Sequence, residues 1–129
     1  MSGITRPPNS LGWFGFRTYN DDWEDLSVWT LPGYPSDKDS GSGNWPWLLH
    51  LNFPIIDDDN DGAGVELEYR ADTADGQSGA PVFAWFSGSP DVVGTHSGGE
   101  DNLGEPRQNV AAGGNALTNL LHWARSNWP

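Results

Sequence analysis

The 129-residue sequence contains no cysteine. Without thiols there is no disulfide framework and no thiolate metal centre, although this absence does not fix the compartment. Basic residues are scarce: six Lys and Arg stand against 18 Asp and Glu, giving a net charge of −12 at pH 7. A surface of that sign repels phosphate backbones and anionic lipid, which argues against nucleic-acid partners and against a membrane surface. No apolar run reaches the length of a membrane-spanning helix. The opening Met1-Ser2-Gly3-Ile4-Thr5-Arg6-Pro7-Pro8 lacks the apolar centre of a signal peptide, so the sequence predicts no export signal.

What the chain does have is 17 glycines, 10 prolines and 8 tryptophans, with short apolar runs between turn residues. Short strands joined by tight turns are the expected outcome, in a single all-β domain over residues 1–129. Residues 1–10 read as an extended lead-in. Leu11 to Tyr19 is rich in β-formers and predicts a first strand, and Leu26 to Leu31 alternates with strand period. The polar stretch Asn20 to Asp25 between them predicts a hairpin. Trp45 to Phe53 is a further strand, at a sheet edge near Pro46, and Pro81 to Phe86 another. From residue 115 the period changes. Leu117, Leu120, Leu121 and Ala124 fall at helical spacing, predicting a C-terminal amphipathic helix over 115–127 with Asn115 as its N-cap. Trp123 and Trp128 are expected to anchor its packing.

Asp57-Asp58-Asp59-Asn60-Asp61-Gly62, with Glu68 at the twelfth position, has the spacing of a calcium loop. The residues after it argue against that reading. Val65, Leu67 and Tyr69 alternate with Glu66, Glu68 and Arg70 as in a half-buried strand. At about 3.3 Å per residue, Glu68 would lie roughly 20 Å beyond Gly62 and could not fold back onto an ion. The stretch therefore reads as an acidic hairpin turn, with a partial calcium site from Asp57, Asp59 and Asp61 as the alternative; no metal and no cofactor is expected.

The most distinctive stretch is Asp72-Thr73-Ala74-Asp75-Gly76-Gln77-Ser78-Gly79-Ala80-Pro81. Glycines on both sides of Ser78 free the backbone for positive φ and remove side chains that would block a ligand. The stretch resembles the nucleophile loop of the chymotrypsin-like serine proteases, most closely in its glutamyl endopeptidase form. Two further segments match the same family in order: Gly33-Tyr34-Pro35-Ser36-Asp37-Lys38 upstream, and Val92-Val93-Gly94-Thr95-His96-Ser97-Gly98-Gly99 downstream. The resemblance implies one six-stranded antiparallel Greek-key barrel with a C-terminal helix, which is the C-terminal half of a double barrel. It implies Ser78 as the nucleophile and the backbone N–H groups of Gly76 and Ser78 as an oxyanion hole. It places Thr73, His96, Ser97, Gly98 and Gly99 in the substrate site, with a peptide or protein as substrate, and it implies secretion.

The resemblance also implies what is missing. In that family the catalytic His and Asp come from the N-terminal barrel, and an unactivated serine is a weak nucleophile. His50 lies in an apolar strand, His96 on the specificity strand and His122 on the terminal helix, so none is placed as general base. The chain alone is expected to be inactive, its partner being the absent N-terminal barrel. A non-catalytic β-barrel that binds peptides is the alternative. For the residue before the scissile bond, P1, the signals conflict. Asp72, six before the serine, would suit a basic side chain, whereas Thr73 and His96 match the acid-specific branch and can each donate to a carboxylate. The second reading uses two matched residues and is preferred.

Overall fold

The structure is a computed structural model that describes residues 14–33, 48–70, 78–100 and 108–128. Eight strands, a short 3-10 helix (Asp21–Trp23) and one α-helix are found there: β1 (Gly15–Phe16), β2 (Trp29–Gly33), β3 (Leu48–Phe53), β4 (Ile55–Asp61), β5 (Gly64–Tyr69), β6 (Pro81–Phe86), β7 (Ser89–Glu100), β8 (Gln108–Gly113) and α1 (Gly114–Asn127). The spatial order is β3-β2-β6-β7-β8-β5-β4, all antiparallel neighbours, with β1 added in parallel to β7. Among the described residues no ladder joins the outer strands β3 and β4. The architecture is therefore a curled, open sheet, a half-barrel with one C-terminal helix, rather than the closed six-stranded barrel expected.

The core draws residues from β2, β4, β5, β6, β7 and β8. Trp29, Leu31, Ile55, Leu67, Tyr69, Val82 and Val93 are fully buried, and Tyr19, Ala84 and Ala111 join the same cluster. Burying a side chain of this size stabilises by roughly 1.5–3 kcal/mol. An aromatic group closes one end, with Tyr19, Trp23, Trp29 and Phe86 in mutual tilted or edge contact.

The β6–β7 hairpin forms with a tighter turn than the sequence suggests: Ser89, Pro90 and Asp91, which read as turn residues, already belong to β7. Pro81 opens β6, where its missing N–H does least harm. Ser87 and Gly88 both take positive φ (51° and 83°), the backbone that a two-residue hairpin turn requires. The first expected hairpin does not form. β1 is only two residues long, and it pairs with Asp91 and Val92 of β7 rather than with β2. Arg17 explains the diversion: its N–H donates to Val92 O at 2.9 Å, while Nε and Nη2 donate to Asp91 Oδ2 at 3.1 and 3.0 Å. Gly15 permits this approach, because a Cβ there would sit 2.1 Å from Asp91 Oδ1.

The acidic stretch is corrected as well. Asp57 to Asp61 belong to strand β4, and the reversal comes after them, with Gly62 at φ +64°. β8, built from Gln-Asn-Val-Ala-Ala-Gly, was not expected from the sequence. Its small residues let it lie between β5 and β7; a Cβ on Gly113 would meet Val93 O at 2.5 Å.

Helix α1 begins one residue earlier than expected, and Asn115 does not cap it. Gly113 holds the cap position without a side-chain bond, and Gly114 turns the chain at φ +80°. The helix is tied to the sheet by Ala116 N–H donating to Ala63 O at 2.7 Å, and by a Thr18–Thr118 hydroxyl pair at 2.9 Å. Its buried residues are Gly114 and Thr118, while Leu120 stays exposed. Trp123 and Trp128 are also exposed, stacked edge-to-face on each other at 4.9 Å, so they do not anchor the helix to the sheet.

Candidate functional site

Ser78 is the first described residue before β6, exposed in a turn whose next residue, Gly79, has φ +85°. An L side chain rarely adopts that backbone, so the glycine after the serine is required by geometry. The turn is fastened to β7 by two backbone bonds. Gly79 N–H donates to His96 O at 2.7 Å, and His96 N–H donates to Ala80 O at 2.9 Å. The candidate nucleophile and the candidate specificity histidine, 18 residues apart in sequence, are thus held on adjoining backbone. Thr73 and Gly76, and Asp72 beside them, lie outside the described residues, as does the segment 34–38 of the upstream match.

His96 is 4% exposed, which sets it apart from the half-buried position usual for a strand histidine. Its Nδ1 lies 2.5 Å from the hydroxyl of Tyr69, itself fully buried on β5, and the two rings are 5.9 Å apart. Burial pushes the His96 imidazole below its usual range and pushes the Tyr69 phenol up, because neither charged form can be hydrated there. Both side chains are therefore neutral around neutral pH. The hydroxyl of Tyr69 was not among the residues expected at the site. Its position at the inner face of an alternating strand marked it only as core.

Beyond His96 the strand changes character. The β7–β8 register shifts between His96 and Gly98, with Ser97 bulging out and its hydroxyl 3.5 Å from Val110 O. Pairing with β8 continues to Glu100, but on the β6 side no described residue pairs with β7 past His96. No described residue approaches within 4 Å of the place a Gly98 Cβ would take.

His50 sits on β3 with its Nε2 buried and unbonded, and His122 packs its ring edge-on against Phe16 at 4.7 Å. A cleft of about 210 Å³ lies over β5 and β8 beside Ser97, lined also by Glu66, Val65 and Ala112. It is smaller than the usual ligand pocket of about 300–1,000 Å³.

Carboxylates that could hold a cation come together elsewhere. Asp59, Glu66 and Glu68 place oxygens within 4.8 Å of one another on the β4–β5 hairpin. Contrary to the expectation from its distance along the strand, Glu68 lies beside the acids, since it pairs with Asp57, and Glu66 with Asp59, across the ladder. The acids occupy a strand, so the hairpin folds Glu68 back beside them. Oxygen-only donors of this kind suit calcium rather than a catalytic zinc.

Two bacterial proteases resemble this chain. One is an extracellular metalloprotease of Bacillus subtilis, 28% identical over 121 residues, covering 92% of this chain and 34% of that protein. The other is a glutamyl endopeptidase of Bacillus licheniformis, 28% identical over 123 residues, covering 92% of this chain and 36% of that protein. The similarity relates the chain distantly to proteases, and the chain spans about a third of the length of these curated relatives. No family profile matches the chain, and no solved structure does. No helix among the described residues is long and apolar enough to cross a membrane.

Proposed function

We propose that this chain is the C-terminal half of a secreted serine endopeptidase that cleaves after acidic residues. Ser78 attacks the scissile carbonyl, and the backbone N–H groups of Gly76 and Ser78 take up the charge that develops on its oxygen. His96, with Thr73, donates hydrogen bonds to the P1 carboxylate, while Ser97, Gly98 and Gly99 pair with the substrate backbone. The proton of Ser78 is removed by a histidine outside these 129 residues, oriented by a carboxylate from the same missing barrel.

The observation that carries this reading is the backbone tie between Gly79, Ala80 and His96. It couples the serine turn to the specificity strand at the residue that would meet P1. The two relatives are named for different chemistries, one as a metalloprotease and one as a glutamyl endopeptidase. The serine reading is preferred here. The grouped metal-ligand candidates among the described residues are carboxylates only, and they sit on β4–β5 rather than at the Ser78 turn.

Reconstitution tests the proposal. The purified 129-residue chain should not hydrolyse peptides. Adding an N-terminal barrel that supplies His and Asp should give hydrolysis after Glu in a P1-varied library, abolished by Ser78→Ala. Hydrolysis by the chain alone, or cleavage after Lys or Arg, would contradict it. Tight binding of acidic peptides without hydrolysis in the reconstituted protein would make the chain a peptide-binding barrel instead.

A further inference from the structure

We propose that Tyr69 is the positioning residue of the specificity site: its hydroxyl donates to Nδ1 of His96 and fixes the imidazole as the Nε2–H tautomer. The inference rests on the reading that His96 meets the P1 side chain. It turns His96 from a residue with two possible donor arrangements into one with a single, defined donor.

The direction of the 2.5 Å hydrogen bond follows from what each partner can do. A phenol has one proton, and a neutral imidazole has one protonated and one bare ring nitrogen. Suppose Nδ1–H donated to Tyr69. The phenol proton would then need an acceptor other than His96, the partner that the described residues give that hydroxyl. Tyr69 is fully buried, so its unpaired O–H would bear the whole desolvation penalty of a lost donor. With Tyr69 donating, the phenol proton and Nδ1 are paired with each other, and the ring proton sits on Nε2. Proton transfer between them is disfavoured, because burial raises the phenol and lowers the imidazole.

Tyr69 is itself firmly held. It pairs with Asn109 in the β5–β8 ladder, its ring packs on Phe53 at 5.2 Å, and it belongs to the central core cluster. The hydroxyl is thus presented from a rigid strand rather than a loop. His96 can recognise a carboxylate as a neutral donor, with no buried cation to be desolvated. An Nε2–H also fixes the donor's direction, since the ring cannot flip without breaking the bond to Tyr69.

Nitrogen-15 NMR of the labelled 129-residue chain, at a pH above the ordinary imidazole value of 6.5, reads the tautomer directly. The expected spectrum shows His96 with a proton on Nε2 and a bare, pyridine-type Nδ1. In Tyr69→Phe the single tautomer should give way to a mixture. In the assembled protease the same variant should lower the kcat/KM preference for Glu over Gln at P1 about tenfold, chiefly through KM. An Nδ1–H ring in the wild-type chain overturns the proposal, as does an unchanged tautomer in Tyr69→Phe. If that variant does not fold, the wild-type spectrum still decides the donor direction. An Nε2–H ring in a protease without acid preference would instead refute the reading of the pocket, and leave the control of His96 by Tyr69 standing.

Discussion

Replacing Gly114 by alanine should be among the most damaging single-methyl additions in the molecule. Gly114 turns the chain from β8 into α1 at φ +80°, a backbone that costs an L residue about 1–2 kcal/mol. Alanine's helix propensity gives no offset, because that φ is not helical. The added Cβ would also stand 2.7 Å from Val65 Cγ2, 3.0 Å from Val65 N and 3.1 Å from Ala63 O. Two of those three are backbone atoms of the β4–β5 turn and the start of β5, the same turn that accepts Ala116 N–H. The methyl cannot be absorbed by a side-chain rotation alone, and overpacking of this kind costs about 1–3 kcal/mol. The sum, roughly 2–5 kcal/mol, is a large part of the about 5–15 kcal/mol available to a domain. The melting temperature should fall on the order of 10–20 °C. Gly62→Ala is the control: it shares the positive φ, +64°, but no described atom lies within 4 Å of its Cβ. Urea unfolding of both variants separates backbone strain from contact. If Gly114→Ala loses no more stability than Gly62→Ala, the packing argument for the β8–α1 corner is wrong.

Gly98→Ala should leave urea stability within about 0.5 kcal/mol, since the new methyl meets no described atom within 4 Å. In the assembled protease it should nonetheless raise KM severalfold by obstructing the strand-pairing edge, and an unchanged KM would remove Gly98 from the substrate site. The buried His96 also makes stability depend on pH. Its folded-state imidazole is lowered below 6.5, so the unfolded chain takes up the proton first, and stability falls as pH drops from about 6.5 toward the lowered value. Comparing urea midpoints over that window in wild type and His96→Gln should show the shallower slope in the variant; equal slopes would refute the assignment.

Several features were legible in the sequence because they are set by local chemistry. The period-2 pattern of Val65, Leu67 and Tyr69 gave a strand, and the change to helical spacing near 115 gave α1 to within a residue. The glycine after Ser78 was readable as a positive-φ position, and it has one. Other features depend on partners far away in the chain, and no local pattern carries them. β8 has neither alternation nor bulk, and it becomes a strand because β5 and β7 offer hydrogen bonds on both sides. The diversion of β1 to β7 was decided by Arg17 finding Asp91, 74 residues later. Glu68 reaches the acids of β4 because a hairpin reverses direction, which a distance counted along one strand ignores. Tyr69 is the sharpest case. In sequence it is one more apolar position on an alternating strand, and it acquires a chemical role only where the curled sheet sets its hydroxyl against His96, 27 residues away. Hydrophobic periodicity tells a side chain which face to take, but which polar atom it will meet on that face is decided by strand order and register.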